Sequence, residues 1–201
     1  MNEQYYDALL HIKTCGEQKG FLSSLHYHRY EATPYQALEF LFSHYQFNSN
    51  DQLVDFGCGK GRLAFFVNHL FSIPVIGIEM NETFYQEAMA NKESYKKKHK
   101  VQANQIHFYP IVAETYEVAP KDNRFYFFNP FSVQIFMKVI HNILLSVEKE
   151  KREVELIIYY AADDYLYFLE HHTSFELKEE ILLEDIYQNN PHERFLIYRL
   201  M

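Results

Sequence analysis

The chain has 201 residues, 48% of them hydrophobic, enough for one continuous core and too few for a second domain of any size. Its formal net charge of -8 argues against a large nucleic-acid footprint, which needs clustered Lys and Arg, so a protein or small-molecule partner is favoured. Cys15 and Cys58 are the only cysteines, which excludes a disulfide framework, and the histidines near them lack zinc-ligand spacing, so no metal is expected.

Residues Met1 to Asp7 show neither the basic start nor the apolar run of a signal peptide, and no later stretch reaches membrane-spanning length. A cytoplasmic protein is predicted. The chain up to about Phe47 reads as helical, with its clearest signal at Thr33-Pro34, an N-cap followed by proline at the first helical position. Ala37, Leu38, Leu41, Phe42 and Tyr45 then recur with helical period. Just upstream, His26-Tyr27-His28-Arg29-Tyr30 concentrates polar groups among aromatics and suits either a lid or a plain surface turn; His26 and His28 are candidate bases near neutral pH. Asn48-Ser49-Asn50-Asp51 supplies a turn, and Gln52 to Phe56 is a short apolar strand that runs directly into glycines.

From there strands and helices alternate. A helix with Leu63, Phe66, Val67 and Leu70 on one face precedes the strand Val75 to Glu79, and a long helix follows from about Glu82 to Lys98. The run Lys96-Lys97-Lys98-His99-Lys100 fits cations in a last helical turn better than a nucleic-acid patch. Ile106 to Tyr109 and Phe125 to Phe128 read as strands, with a loop holding Ala113 and Glu114 between them. Ser132 is the expected cap of a helix whose stripe is Val133, Phe136, Met137, Ile140, Ile143, Leu144 and Val147. Strand Val154 to Ala161 and a short helix near Asp164 to His171 come next, and the chain closes with two consecutive strands, Phe175 to Leu183 and Arg194 to Leu200. The pattern predicts an α/β fold: a doubly wound, mostly parallel seven-stranded sheet with helices on both faces and an antiparallel C-terminal strand pair. One domain is expected over residues 1–201, with 1–50 as a helical cap and 51–201 as a Rossmann-like core.

The segment Asp55-Phe56-Gly57-Cys58-Gly59-Lys60-Gly61-Arg62 lies where the first strand turns into a helix. Glycines suit this turn because a Cβ would block the tight bend and the approach of backbone amides to a ligand. Arg62 stands where a dinucleotide fingerprint would place its third glycine, which argues against NAD. Glu79 ends the second strand about twenty residues after the loop, where a carboxylate can accept hydrogen bonds from both ribose hydroxyls.

Asp55 to Arg62 and Val75 to Asn81 resemble the first two motifs of class I S-adenosylmethionine-dependent methyltransferases. The resemblance implies S-adenosyl-L-methionine as cofactor, with Asp55, Gly57, Cys58, Gly59 and Gly61 along its methionine part. It also implies Glu79 on the ribose, Met80 on the adenine and Ala113-Glu114 near the adenine amine. Asn129-Pro130-Phe131, after the fourth strand, resembles a shortened form of the Asn-Pro-Pro-Tyr motif of enzymes that methylate planar nitrogen. That similarity implies a catalytic role in which Asn129 and the Pro130 carbonyl accept from an amine and Phe131 stacks on it. A strand-terminating turn is the other reading of Asn129-Pro130. Two further functions stand beside methyl transfer: aminopropyl transfer on the same scaffold, and cofactor binding without chemistry.

Overall fold

The computed structural model describes residues 3–16, 31–99, 102–183 and 190–201. Two helices, α1 (Glu3–Leu10) and α2 (Tyr35–His44), precede the first strand, β1 (Leu53–Phe56). Alternation then runs α3 (Arg62–Phe71), β2 (Val75–Ile78), α4 (Glu82–Lys96), β3 (Ile106–Tyr109), β4 (Arg124–Phe128), α5 (Val133–Lys149), β5 (Val154–Tyr159) and α6 (Asp163–His172). The edge strand β6 (Glu176–Leu182) and the returning β7 (Arg194–Leu200) complete it.

The seven strands form one sheet in the order β3-β2-β1-β4-β5-β7-β6. Strands β1 to β5 pair in parallel, while β7 lies antiparallel between β5 and β6. Successive strand residues face opposite sides of a sheet, and two separate cores follow from that alternation. Leu53, Tyr126, Ile157 and Tyr159 pack with α1, α2, α3 and the inner side of α4. Val54, Phe56, Phe125, Phe127, Leu156 and Ile158 pack with α5 and α6. The near-continuous apolar strands read from the sequence are thus buried on both faces, as a parallel sheet requires.

Three local expectations are corrected. Thr33 does not cap α2: Pro34 holds the cap position, the Thr33 hydroxyl is bonded to the Tyr126 hydroxyl at 2.8 Å, and the free Tyr35 N–H donates instead to Glu3 Oε1 at 3.0 Å. Strand β5 stops at Tyr159, two residues early, because Tyr160 adopts a left-handed φ of +52°. Ser132 stands at the N-cap of α5 but makes no side-chain cap bond there. At the far end of the fourth helix Lys96 is in the last turn and Lys97 caps it, as cations near a helix C-terminus should, whereas Lys100 lies outside the described residues.

At the amino ends of the strands a buried charge network ties the helical segment to the sheet. Glu155 accepts from Tyr45 Oη at 2.7 Å and from Lys178 Nζ at 2.6 Å, and Arg124 pairs with Asp51 at 3.2 Å. Pairing of opposite charges makes such burial tolerable.

Candidate functional site

The order of the sheet reverses at β1, whose neighbours are β2 on one side and β4 on the other. A crevice opens outside the carboxyl ends of strands at such a reversal. Asp55 and Tyr126 are register partners on β1 and β4, and both face the N-terminal helices. The chain leaves β1 through Gly57, Gly59 and Gly61, all with positive φ (+79°, +54° and +85°). A Cβ on Gly57 would come within 2.7 Å of the Pro130 Cβ, and one on Gly61 within 2.7 Å of the Phe108 ring. Gly57 therefore serves two ends at once: it takes a turn closed to other residues and lets the exit of β4 rest on the loop.

Glu79 holds the loop from the other side. Its Oε2 accepts from the Gly59 N–H at 2.9 Å and its Oε1 from the Asn81 N–H at 2.7 Å, and the side chain is 8% exposed. Burial raises its pKa against the lowering effect of those two bonds. Asp55 is buried as well, and burial, reinforced by the charge of Glu79, pushes its pKa up to about 8. Burial also drives the Cys58 thiol well above its usual value, so Cys58 contributes backbone and packing, with its sulfur over Gly77 of β2.

A narrow cleft of about 30 Å³ runs along this loop, and Glu31, Thr33, Arg62, Tyr126 and Phe128 line it together with Asp55, Gly57 and Cys58. The N-terminal segment thus supplies one wall. Arg62 fixes that wall in place: its guanidinium donates to Thr14 Oγ1 at 2.8 Å and to the Thr33 carbonyl at 3.1 Å, pairs with Glu3, and lies 4.5 Å over the Tyr35 ring. Asp7 secures the same turn, accepting from Thr14 N, Thr14 Oγ1 and Tyr35 Oη. Burial opposes its charge, but those donors prevail and hold its pKa below the ordinary value.

The remaining expected residues divide. Pro130 meets the glycine loop, and Asn129 begins the same exit turn with φ +37°, its Oδ1 shielded from solvent. Phe131 is a correction: its ring is 1% exposed and packs edge-on to Phe127, on the α5 side of the sheet, so it has no face to offer an acceptor. Dropping one proline moves the aromatic by one position and turns it into the core. Met80 is 44% exposed, Ala113 is buried in the α5–α6 core, and Glu114 is among the residues that line a groove with Met137, His141 and Phe168. His26, His28 and Arg29 lie outside the described residues. Among the described residues no cluster of His, Cys, Asp and Glu suits a metal ion, and no helix is long and apolar enough to cross a membrane.

Sequence reading missed Glu31, Thr33, Tyr126 and Phe128, whose roles arise only from tertiary contacts. Arg62 did carry a signal, because a cation in the first turn of a helix opposes the helix dipole and needs another reason to be there.

Comparison with known proteins agrees with this geometry. Residues 33–124 match the family described as a methyltransferase domain. A putative RNA methyltransferase from Pyrococcus horikoshii superposes with a TM-score of 0.56 at 16% identity, over 98% of this chain and 96% of that one. An RNA methyltransferase from Salinibacter ruber, solved with S-adenosyl-L-homocysteine, gives 0.55 at 13% identity over 84% and 92% of the two chains. The [4+2]-cyclase SpnF gives 0.57 at 15% identity over 72% and 58%. Among curated proteins none is significantly similar in sequence. The chain thus has the α/β fold of these methyltransferases, and the match over residues 33–124 implies their cofactor, S-adenosyl-L-methionine.

Proposed function

We propose that this protein transfers a methyl group from S-adenosyl-L-methionine to a nitrogen presented where β4 leaves the sheet. The observation that carries the reading is the packing of Pro130 on Gly57, which sets the β4 exit against the glycine loop beside two buried carboxylates. The donor set fits the cofactor. A buried carboxyl at Asp55 suits its ammonium group, and Glu79, with two backbone N–H donors on a carboxylate of about four acceptor sites, retains capacity for ribose hydroxyls. In this reading Gly57 to Gly61 line the methionine part, Met80 lies by the adenine, and Ala113 and Glu114 flank its amine.

The bound cofactor supplies an electrophilic methyl on a sulfonium. Asn129 then orients the acceptor by accepting from its amine, and the wall of Thr33, Tyr126 and Phe128 excludes water, so that rate comes from alignment. No covalent nucleophile is needed. The net charge of -8 does not exclude nucleic acid, since two structurally similar proteins are described as RNA methyltransferases.

Calorimetry on the purified chain tests the cofactor. S-adenosylhomocysteine is expected to bind and NAD to bind far more weakly; tighter NAD binding refutes the reading. Incubation of cell extract with methyl-labelled S-adenosylmethionine separates methyl transfer from aminopropyl transfer and from mere binding, because only the first leaves label on an acceptor.

A further inference from the structure

Strands β4 and β5 end in register, Phe128 opposite Tyr159, and on both the next residue is left-handed: Asn129 at φ +37° and Tyr160 at φ +52°. Asparagine tolerates that conformation through its short polar side chain, but for a bulky aromatic it is an outlier, held only where surrounding structure enforces it. Tyr159 needs no such device, since it continues the strand and stacks on Phe195 in the core at 4.5 Å. The reversal at Tyr160 instead keeps its ring half-exposed, 6.5 Å from Phe128 and 5.4 Å from His192, with its hydroxyl accepting from Asn190 Nδ2 at 3.4 Å. Phe128 is itself half-exposed and lines the cleft beside Asp55, Gly57 and Tyr126. From the β4 exit outward the three rings thus follow one another, Tyr160 edge-on to Phe128 at 64° and His192 tilted by 39° against Tyr160.

We propose that Phe128, Tyr160 and His192 form a stacking wall and that the methyl acceptor is a planar aromatic or heteroaromatic ring. The inference rests on the proposed function, of which it names the substrate class. A π-face attracts another ring over its area with little demand on hydrogen bonding, whereas an aliphatic amine gains nothing comparable. Asn129, one residue from Phe128, adjoins that wall, so a nitrogen at the ring's edge would lie beside the residue that the proposed function assigns to it. A free ring and a base of an RNA strand present the same face.

The test uses the full chain saturated with S-adenosylhomocysteine, so that no probe enters the cofactor cleft, and reads saturation-transfer NMR and titration. The probes are adenosine, cytidine, uridine and indole, with N-acetyl-lysine amide as the aliphatic control. At least one ring is expected to bind better than the control. Tyr160→Asn, which removes the ring but keeps a residue suited to positive φ, and His192→Ala should each weaken that ring by about fivefold or more, the size of one lost stacking contact. Tyr160→Phe should retain it, and S-adenosylhomocysteine affinity should be unchanged in all three. A ten-nucleotide single strand containing the preferred base assigns the source: tighter binding than the nucleoside indicates RNA, equal or weaker binding a free ring. If no ring exceeds the control, or if Tyr160→Asn binds as well as the parent, the proposal is overturned while the cofactor reading stands. Failure of the parent to bind S-adenosylhomocysteine refutes the cofactor reading itself, and the proposal falls with it.

Discussion

Asp55 offers the sharpest quantitative test, because burial and the neighbouring Glu79 place its pKa at about 8, inside the accessible pH range. Below that value the carboxyl of the unliganded protein is mostly protonated. Binding a ligand whose ammonium pairs with the carboxylate requires that proton to leave. If the bound form is fully ionised, affinity should rise about ninefold from pH 6 to 7 and about fivefold from pH 7 to 8, following the ionised fraction of a group with that pKa. Titrating S-adenosylhomocysteine by calorimetry at pH 6, 7 and 8, in two buffers of different ionisation enthalpy, gives both affinity and proton release. Asp55→Asn should bind more weakly with neither effect, and the ligand's own titration cancels in the ratio of the two proteins. Stability without ligand moves the other way. A carboxyl whose folded pKa is raised from 3.8 contributes stability that is complete below 3.8 and is lost as pH rises through about 8. Between pH 5 and 7 the parent should therefore lose roughly 3 kcal/mol relative to Asp55→Asn in urea denaturation. An affinity ratio between the two proteins that stays flat from pH 6 to 8 would refute the assignment.

Glu79→Ala should weaken S-adenosylhomocysteine ten- to a hundredfold, the effect of losing about 1.5 to 3 kcal/mol of hydrogen bonding to a charged group, and should lower thermal stability because the Gly59 and Asn81 N–H groups lose their acceptor. Asn129→Gly, which suits the φ of +37°, should depress labelling of extract by S-adenosylmethionine while leaving S-adenosylhomocysteine affinity nearly constant; equal labelling at equal folded concentration removes Asn129 from the chemistry. Arg62→Met should destabilise the fold by about 2 to 3 kcal/mol through stranded partners at Glu3, Thr14 and Thr33, and hydrogen exchange should localise the loosening to α1 and residues 31–34.

Local pattern made much of this protein readable. The glycine loop announced itself because positive φ at Gly57, Gly59 and Gly61 leaves few other residues usable there, and the strands did so because burial on both faces demands continuous apolar runs. Glu79 was legible from its distance beyond the loop, since strand, turn and helix lengths in such a unit are nearly fixed. Thr33 and Phe131 misled for one shared reason. Each has a good local role, as cap or as stacking ring, and each is claimed by a partner far along the chain: Tyr126 for Thr33, and Tyr165, bonded to the Phe131 carbonyl, for Phe131. The left-handed turn at Tyr160 had no sequence signal, because tyrosine is nearly the last residue one would place there.

The anchoring of Arg62 bears on where the smallest autonomous piece of this protein can be cut. The stretch recognisable by family similarity, residues 33–124, begins after Glu3, Asp7 and Thr14 and ends at the first residue of β4. Excised, it would keep three adjacent strands with β1 stripped of one neighbour. It would also leave a guanidinium facing the places of Glu3 and Thr14, and Asp55 without Tyr126 beside it. The stretch that carries the family match is thus narrower than the set of contacts that holds the site together, and a fragment that keeps those contacts must reach from the first helix to the strand that returns at the end of the sheet.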